Sequence, residues 1–158
     1  MKKFELTSEY VTNIFGKKLF RIKALVAFGD VKEGDLGGFV EKESNLDNDG
    51  DAWVSDDARV YGNAKVCGNA KVCGNARVYG NLDYAIVGGF GSEQRTTTFF
   101  RQKDGMVGVK CGCFYGTLEE FRGKVKETHK ESKYAQEYLM IADLMELHFA
   151  GGKEDDER

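Results

Sequence analysis

Proline is absent from all 158 residues, and histidine occurs only twice, as His129 and His148. Without proline there is no stiff proline-rich linker, and the 20 glycines point instead to tight corners in regular structure. Cysteine is sparse: Cys67, Cys73, Cys111 and Cys113 do not form the paired C-x-x-C spacing of a structural zinc site. They read as reduced thiols serving as small, semi-apolar side chains. No apolar run reaches membrane-spanning length, and the start Met-Lys-Lys-Phe-Glu-Leu turns polar too early for a signal peptide. The expectation is a soluble cytosolic protein. With net charge −3 and pI near 5.5, general attraction to nucleic acid or anionic membranes is not expected. Hydrophobic residues make up 41% of the chain, enough for a core in one compact unit or two small ones.

From Gly50 the chain repeats every six residues. Ala52, Ala58, Ala64, Ala70 and Ala76 hold one slot, and Val54, Val60, Val66, Val72 and Val78 hold another two positions later. Six is not a helical period, whereas residues two apart share one face of a strand. The intervening Gly-Asn and Gly-Asp pairs are corner chemistry, because both residue types tolerate the left-handed region. Each repeat is therefore a short strand and a bend that buries its Ala/Val face only within a closed coil.

Val60 followed by Ala64, Val66 by Ala70 and Val72 by Ala76 resemble the hexapeptide-repeat family of left-handed β-helices. The resemblance implies a left-handed parallel β-helix, with about three hexapeptides per triangular turn. The handedness comes from the resemblance alone, since parallel crossovers are otherwise right-handed. Residues eighteen apart then stack, with Val54 over Val72 and Leu36 beneath, Ala58 between Val40 and Ala76, and Ala64 between Leu46 and Leu82. A degenerate first coil begins near Leu36, with Lys42 and Asn48 in its valine slots as a polar end-cap, for about three coils in all.

On the outside, the same arithmetic stacks Arg59 with Arg77 and Tyr61 with Tyr79 on one face, with Glu41 and Glu43 one coil earlier. This Arg59/Tyr61/Arg77/Tyr79 ladder is the candidate site for a ligand or partner. Tyrosine offers stacking, and guanidinium offers bidentate contacts to carboxylate or phosphate. A solenoid face carrying such side chains only for solubility and packing along the ladder is the alternative.

The flanks read differently. Residues 1–35 form an N-terminal strand cap, with Phe20, Ile22 and Ala24 alternating against Arg21 and Lys23. Residues 36–83 are the hexapeptide β-helix, and 84–150 a small βββαα domain. The strands there are Tyr84–Val87, Arg95–Gln102 and Met106–Cys113, with an Asp104-Gly105 hairpin turn. Thr117-Leu-Glu-Glu120 is a capping box opening a first helix, and a second runs from Lys133 to Phe149. Residues 151–158 read as a disordered acidic tail. The fold class is mainly β with an α+β end.

The opening Lys-Lys-Phe-Glu-Leu-Thr, the Gly34-Asp-Leu-Gly-Gly-Phe-Val40 entry and Gly112-Cys-Phe-Tyr-Gly-Thr-Leu-Glu-Glu-Phe121 carry a second resemblance. The chain looks like a group of uncharacterised phage and prophage proteins that join a rod of variable repeat number to a terminal domain. That resemblance implies a host-directed, non-enzymatic binding protein, such as an anti-defence inhibitor or a protein sequestering a host partner or small signalling nucleotide. It brings no catalytic residues, cofactor or metal. A virion or assembly scaffold is the alternative, and a hexapeptide acyltransferase a further one. The acyltransferases use a histidine base, and the carbonic anhydrases of this fold three histidines on a metal, whereas the coils here contain no histidine. His129, among lysines and glutamates, reads as part of a solvated helix face, and His148 as a helix C-terminal residue. A homo-oligomer is expected, with a trimer favoured.

Overall fold

Alanine and valine two positions apart face the same way along an extended segment, and in this protein that way is inward. The computed structural model describes residues 2–150. Every alanine from Ala52 to Ala76 and every valine from Val54 to Val78 in the repeat is buried. The strands that carry them are only two residues long: β4 (Trp53–Val54), β5 (Arg59–Val60), β6 (Lys71–Val72) and β7 (Arg77–Val78). They pair in parallel at eighteen-residue offsets, Val54 on Val72 and Val60 on Val78. Between strands the backbone turns through positive φ, as at Gly62 (+62°) and Gly74 (+61°). Asp56 occupies the same corner slot at φ +57°, and its carboxylate accepts the Gly74 amide at 3.0 Å, one coil later.

The first coil is built differently from the even eighteen-residue expectation. Val40 on β3 (Leu36–Val40) opposes Val60, and Leu46 opposes Val66, both at an offset of twenty. The two additional residues lie in the corner between Leu46 and Val54. Val40 and Leu46 consequently fill the valine slots, while Lys42 and Asn48 are exposed. Ala58 is not stacked on Val40, and Leu36, 57% exposed, pairs with Lys23 across the sheet and does not sit beneath Val54. The buried Lys3 closes the lengthened corner, its Nζ donating to the carbonyls of Ala52 (2.8 Å) and Gly50 (3.3 Å). Burial holds the Lys3 pKa below the usual lysine value, with Asp47 opposing that shift.

β1 (Phe4–Thr12) and β2 (Lys18–Ala24) form an antiparallel hairpin that continues onto β3, so five strands run β1-β2-β3-β5-β7. Two matching 3₁₀ turns follow this sheet, at Glu43–Asn45 and Asn81–Asp83. Asn45 Oδ1 accepts the amides of Glu41 and Lys42, and Asp83 Oδ2 those of Tyr79 and Gly80. Asp83 is thus the residue that turns inward at the last coil. Leu82, expected above Ala64, is 52% exposed.

The C-terminal sheet has four strands, one more than the sequence suggests: β8 (Tyr84–Phe90), β9 (Arg95–Arg101), β10 (Val107–Cys111) and β11 (Phe114–Thr117). The segment read as one strand to Cys113 reverses at Gly112 (φ +58°), bringing Cys111 opposite Phe114. Thr117 caps α1 (Leu118–His129) reciprocally: Thr117 Oγ1 accepts the Glu120 amide at 3.1 Å, and the Glu120 carboxylate accepts the Thr117 amide at 2.8 Å. Ser132 caps α2 (Lys133–Phe149). Both helices cover one face of the sheet. The opposite face closes the end of the coils: the Lys71 amide donates to Thr98 Oγ1, and the Lys103 amide to the Asn75 carbonyl, each at 2.9 Å. Beyond the last 3₁₀ turn, β9 packs against the end of the coils. The whole is a β-rich α+β fold. The acidic tail, 151–158, lies outside the described residues. Among the described residues no helix is long and apolar enough to cross a membrane.

Candidate functional site

The structure brings all four ladder residues together on the outer face of β3, β5 and β7. Arg59 opposes Arg77 directly, and the Tyr61 and Tyr79 rings stack with centroids 5.8 Å apart at 25°. The twenty-residue first coil changes what lies below them. Phe39, not Glu41, opposes Arg59, and the Arg21 guanidinium lies 4.4 Å over the Phe39 ring. The column therefore reads Arg21, Phe39, Arg59, Arg77. The two glutamates expected there are used elsewhere: Glu41 accepts the Gly62 amide at 2.9 Å, and Glu43 pairs with Lys2 at 2.9 Å.

The two arginines are not equivalent. Arg77 Nη1 donates to the carbonyls of Asp57 (3.0 Å) and Ala76 (2.9 Å), which anchors it to the backbone. Burial, and then the charge of Arg59 beside it, lower the Arg77 pKa from the ordinary arginine value. Arg59 Nε and the Tyr79 hydroxyl are buried with no hydrogen-bond partner. A buried donor without an acceptor costs about 1–3 kcal/mol, and both atoms are shielded from solvent, so what the face offers outward is its rings and the rest of its guanidinium groups. Neither cavity described below is lined by any of the four residues.

Sequence reasoning missed two hollows at the C-terminal unit. The larger, about 680 Å³, runs between Trp53, Lys71 and Cys73 on the β4–β6 side and Arg95, Lys110 and Tyr115 on the other. Much of its polar lining is already satisfied: Lys71 Nζ donates to the Asp51 carbonyl at 2.7 Å, and Tyr115 Oη accepts from Gln102 at 2.7 Å. The Cys73 thiol is pushed up to about 12 by burial and then by Asp56, so it holds its proton at neutral pH and is a poor nucleophile.

The smaller hollow, about 230 Å³, opens between the turn after β8, the β10–β11 turn and α1. Its apolar floor includes Phe114, Phe121 and Tyr138, with Arg95, Lys124 and His129 around them. Tyr138 is held in place by donating to the Phe90 carbonyl at 3.0 Å, and its ring stacks against His129 at 5.9 Å. Four separated segments converge here, since Tyr138 comes from α2. The Gly112 turn, read as strand, was the one local signal that the chain folds back at this point. His129 leaves its expected solvated helix face and is partly buried in this lining. Among the described residues no group of three or more His, Cys, Asp or Glu side chains is placed to hold a metal ion. No family model matches the chain, and no curated protein matches it.

Proposed function

We propose that this chain is a non-enzymatic binding protein of phage or prophage type, acting in the host cytosol. In this reading its coils wind left-handed and present the Arg59/Tyr61/Arg77/Tyr79 face to an acidic host protein. The observation that carries it is the alignment of Arg59 with Arg77 and of Tyr61 with Tyr79, which sets two guanidiniums and two stacked rings on one strip. A strip of stacked rings and guanidiniums outside both cavities suits a macromolecular surface, because small molecules bind in concavities. Arginine and tyrosine are also the residue types that dominate interface energetics.

The chain in this reading also associates with itself, as a trimer. Supporting this, Met140, Leu144 and Leu147 make an outward apolar stripe on α2, 71%, 56% and 73% exposed. Sedimentation of a trimeric mass, lowered by Leu144→Glu with Leu147→Glu, is the expected result, and a wild-type monomer at working concentration overturns this part.

For the binding face, Arg59→Ala is the cleaner probe, since Arg77 also ties down backbone carbonyls. With wild-type protein as bait in native host extract, an acidic protein is recovered. The Arg59→Ala bait, a hot-spot loss of about 2 kcal/mol, retains roughly a thirtieth of the affinity. Identical recovery and affinity with both baits overturns the assignment.

A further inference from the structure

The hollow against α1 differs from the ladder in shape and in charge balance. Its floor is apolar and aromatic, and its titratable rim is Arg95, Lys124 and His129 against one carboxylate, Glu93. The lining is thus net positive in a chain of net charge −3. Both strong cations are held only by exposed ion pairs, Arg95 to Glu93 at 2.8 Å and Lys124 to Glu127 at 3.8 Å. Such pairs contribute little and exchange readily, and a doubly charged phosphate is the stronger partner for a guanidinium.

The aromatic side is equally constrained. Tyr138 is fixed through its hydroxyl, so its ring and the His129 ring present faces and edges but no free phenol. The carbonyl end of α1 also lies on the His129 side, and its partial negative charge disfavours an anion there. The anion therefore belongs at Arg95 and Lys124, and a flat ring at Phe114, His129 and Tyr138. A volume of about 230 Å³ is below the ordinary range for ligand pockets, roughly 300–1,000 Å³, so the site holds the ring and the phosphate of a ligand and leaves the group that links them at the open mouth.

From this arrangement we infer that the C-terminal unit carries a second binding site, one for a small molecule joining a flat ring to a phosphate, with a nucleoside monophosphate as its type. The site stands independently of the ladder and of any protein partner bound there. Cys113, the exposed one of the four free thiols, lines the mouth and serves as a reporter of occupancy.

The test uses the full chain with AMP and UMP, and with adenosine and inorganic phosphate as half-ligands. Calorimetry and the rate of Cys113 alkylation are both read. A monophosphate binds, slows alkylation of Cys113, and outcompetes either half-ligand. Arg95→Lys and Lys124→Gln each weaken it about tenfold or more, while Arg59→Ala leaves it unchanged. Lys124 is exposed on a helix, so Lys124→Gln tests the site without endangering the fold. No binding of either monophosphate by about 10 mM overturns the assignment. So does binding that survives both substitutions with unaltered alkylation of Cys113. Loss of binding in Arg59→Ala alone places the ligand on the ladder and overturns this site while supporting the other.

Discussion

Phe99 and Phe100 are neighbours in the chain and belong to different hydrophobic cores. Phe100 is buried with the alanines and valines of the coils, and Phe99 with Phe121, Val125 and Tyr138 beneath the helices. Strand alternation sends successive side chains to opposite faces, so β9 is a shared wall. Either Phe→Ala substitution creates a cavity costing about 3–5 kcal/mol. Hydrogen exchange separates them: Phe100→Ala exposes the amides of β6 and β7 first, and Phe99→Ala those of α1.

The Asp83–Arg101 pair fastens the same joint. Arg101 Nε donates to Asp83 Oδ1 at 3.0 Å, with the Arg101 side chain 14% and the Asp83 side chain 3% exposed, while Asp83 Oδ2 holds the last 3₁₀ turn. Asp83→Ala strands a largely buried guanidinium and is expected to cost about 3–5 kcal/mol in urea unfolding. Asn45 makes the equivalent turn contacts in the first coil without a charge. Asp83→Asn keeps the turn through its carbonyl oxygen but sets its NH2 against the Arg101 N–H. It loses the ion pair and its hydrogen bond while sparing the turn, and is the milder change.

Alkaline stability reports on Cys73. The thiol deprotonates near 9.0 when unfolded, and burial followed by Asp56 pushes it up to about 12 when folded. Above the first value the unfolded chain releases a proton that the folded chain keeps, so rising pH favours unfolding. The contribution is complete below pH 9.0 and gone near pH 12, with a slope of at most about 1.4 kcal/mol per pH unit. Between about pH 8 and about pH 10.5, Cys73→Ala should lose less of its urea midpoint than wild type does.

Coil arithmetic predicts which insertions are tolerated. The parallel pairs Val54–Val72 and Val60–Val78 are eighteen residues apart. Duplicating residues 62–79 adds one whole coil and returns the chain to β9 in the same orientation. Cooperative thermal unfolding persists in that variant. Duplicating only 62–67 turns the exit by one side of the coil and removes the Lys71–Thr98 and Asn75–Lys103 contacts. Loss of a single cooperative transition is the expected result.

Much of this architecture is local and so was readable. The six-residue period names its own inward residues, because Ala52 to Val78 alternate faces whatever they pack against. The Thr117–Glu120 capping box marks the first helix, because a cap satisfies amides within the same turn, and the apolar spacing from Lys133 to Phe149 marks the second. The Arg59–Arg77 and Tyr61–Tyr79 stackings follow from the same counting, which places side chains one coil apart without any knowledge of the rest.

What lay between segments was not readable. Two added residues between Leu46 and Val54 shifted the first coil, moving Phe39 under Arg59 and sending Glu41 to the Gly62 amide. Composition signalled a corner there but not its length. The hollow of Arg95, Lys124 and His129 depends on four segments meeting, and β11 on a reversal at Gly112 inside an apparently continuous strand. The coil, its Ala/Val interior and the ladder follow from the repeat, since a strict period makes neighbours of residues at fixed offsets. That β9 serves both cores, and that a basic pocket forms beside it, follows instead from where non-repeating chain is packed.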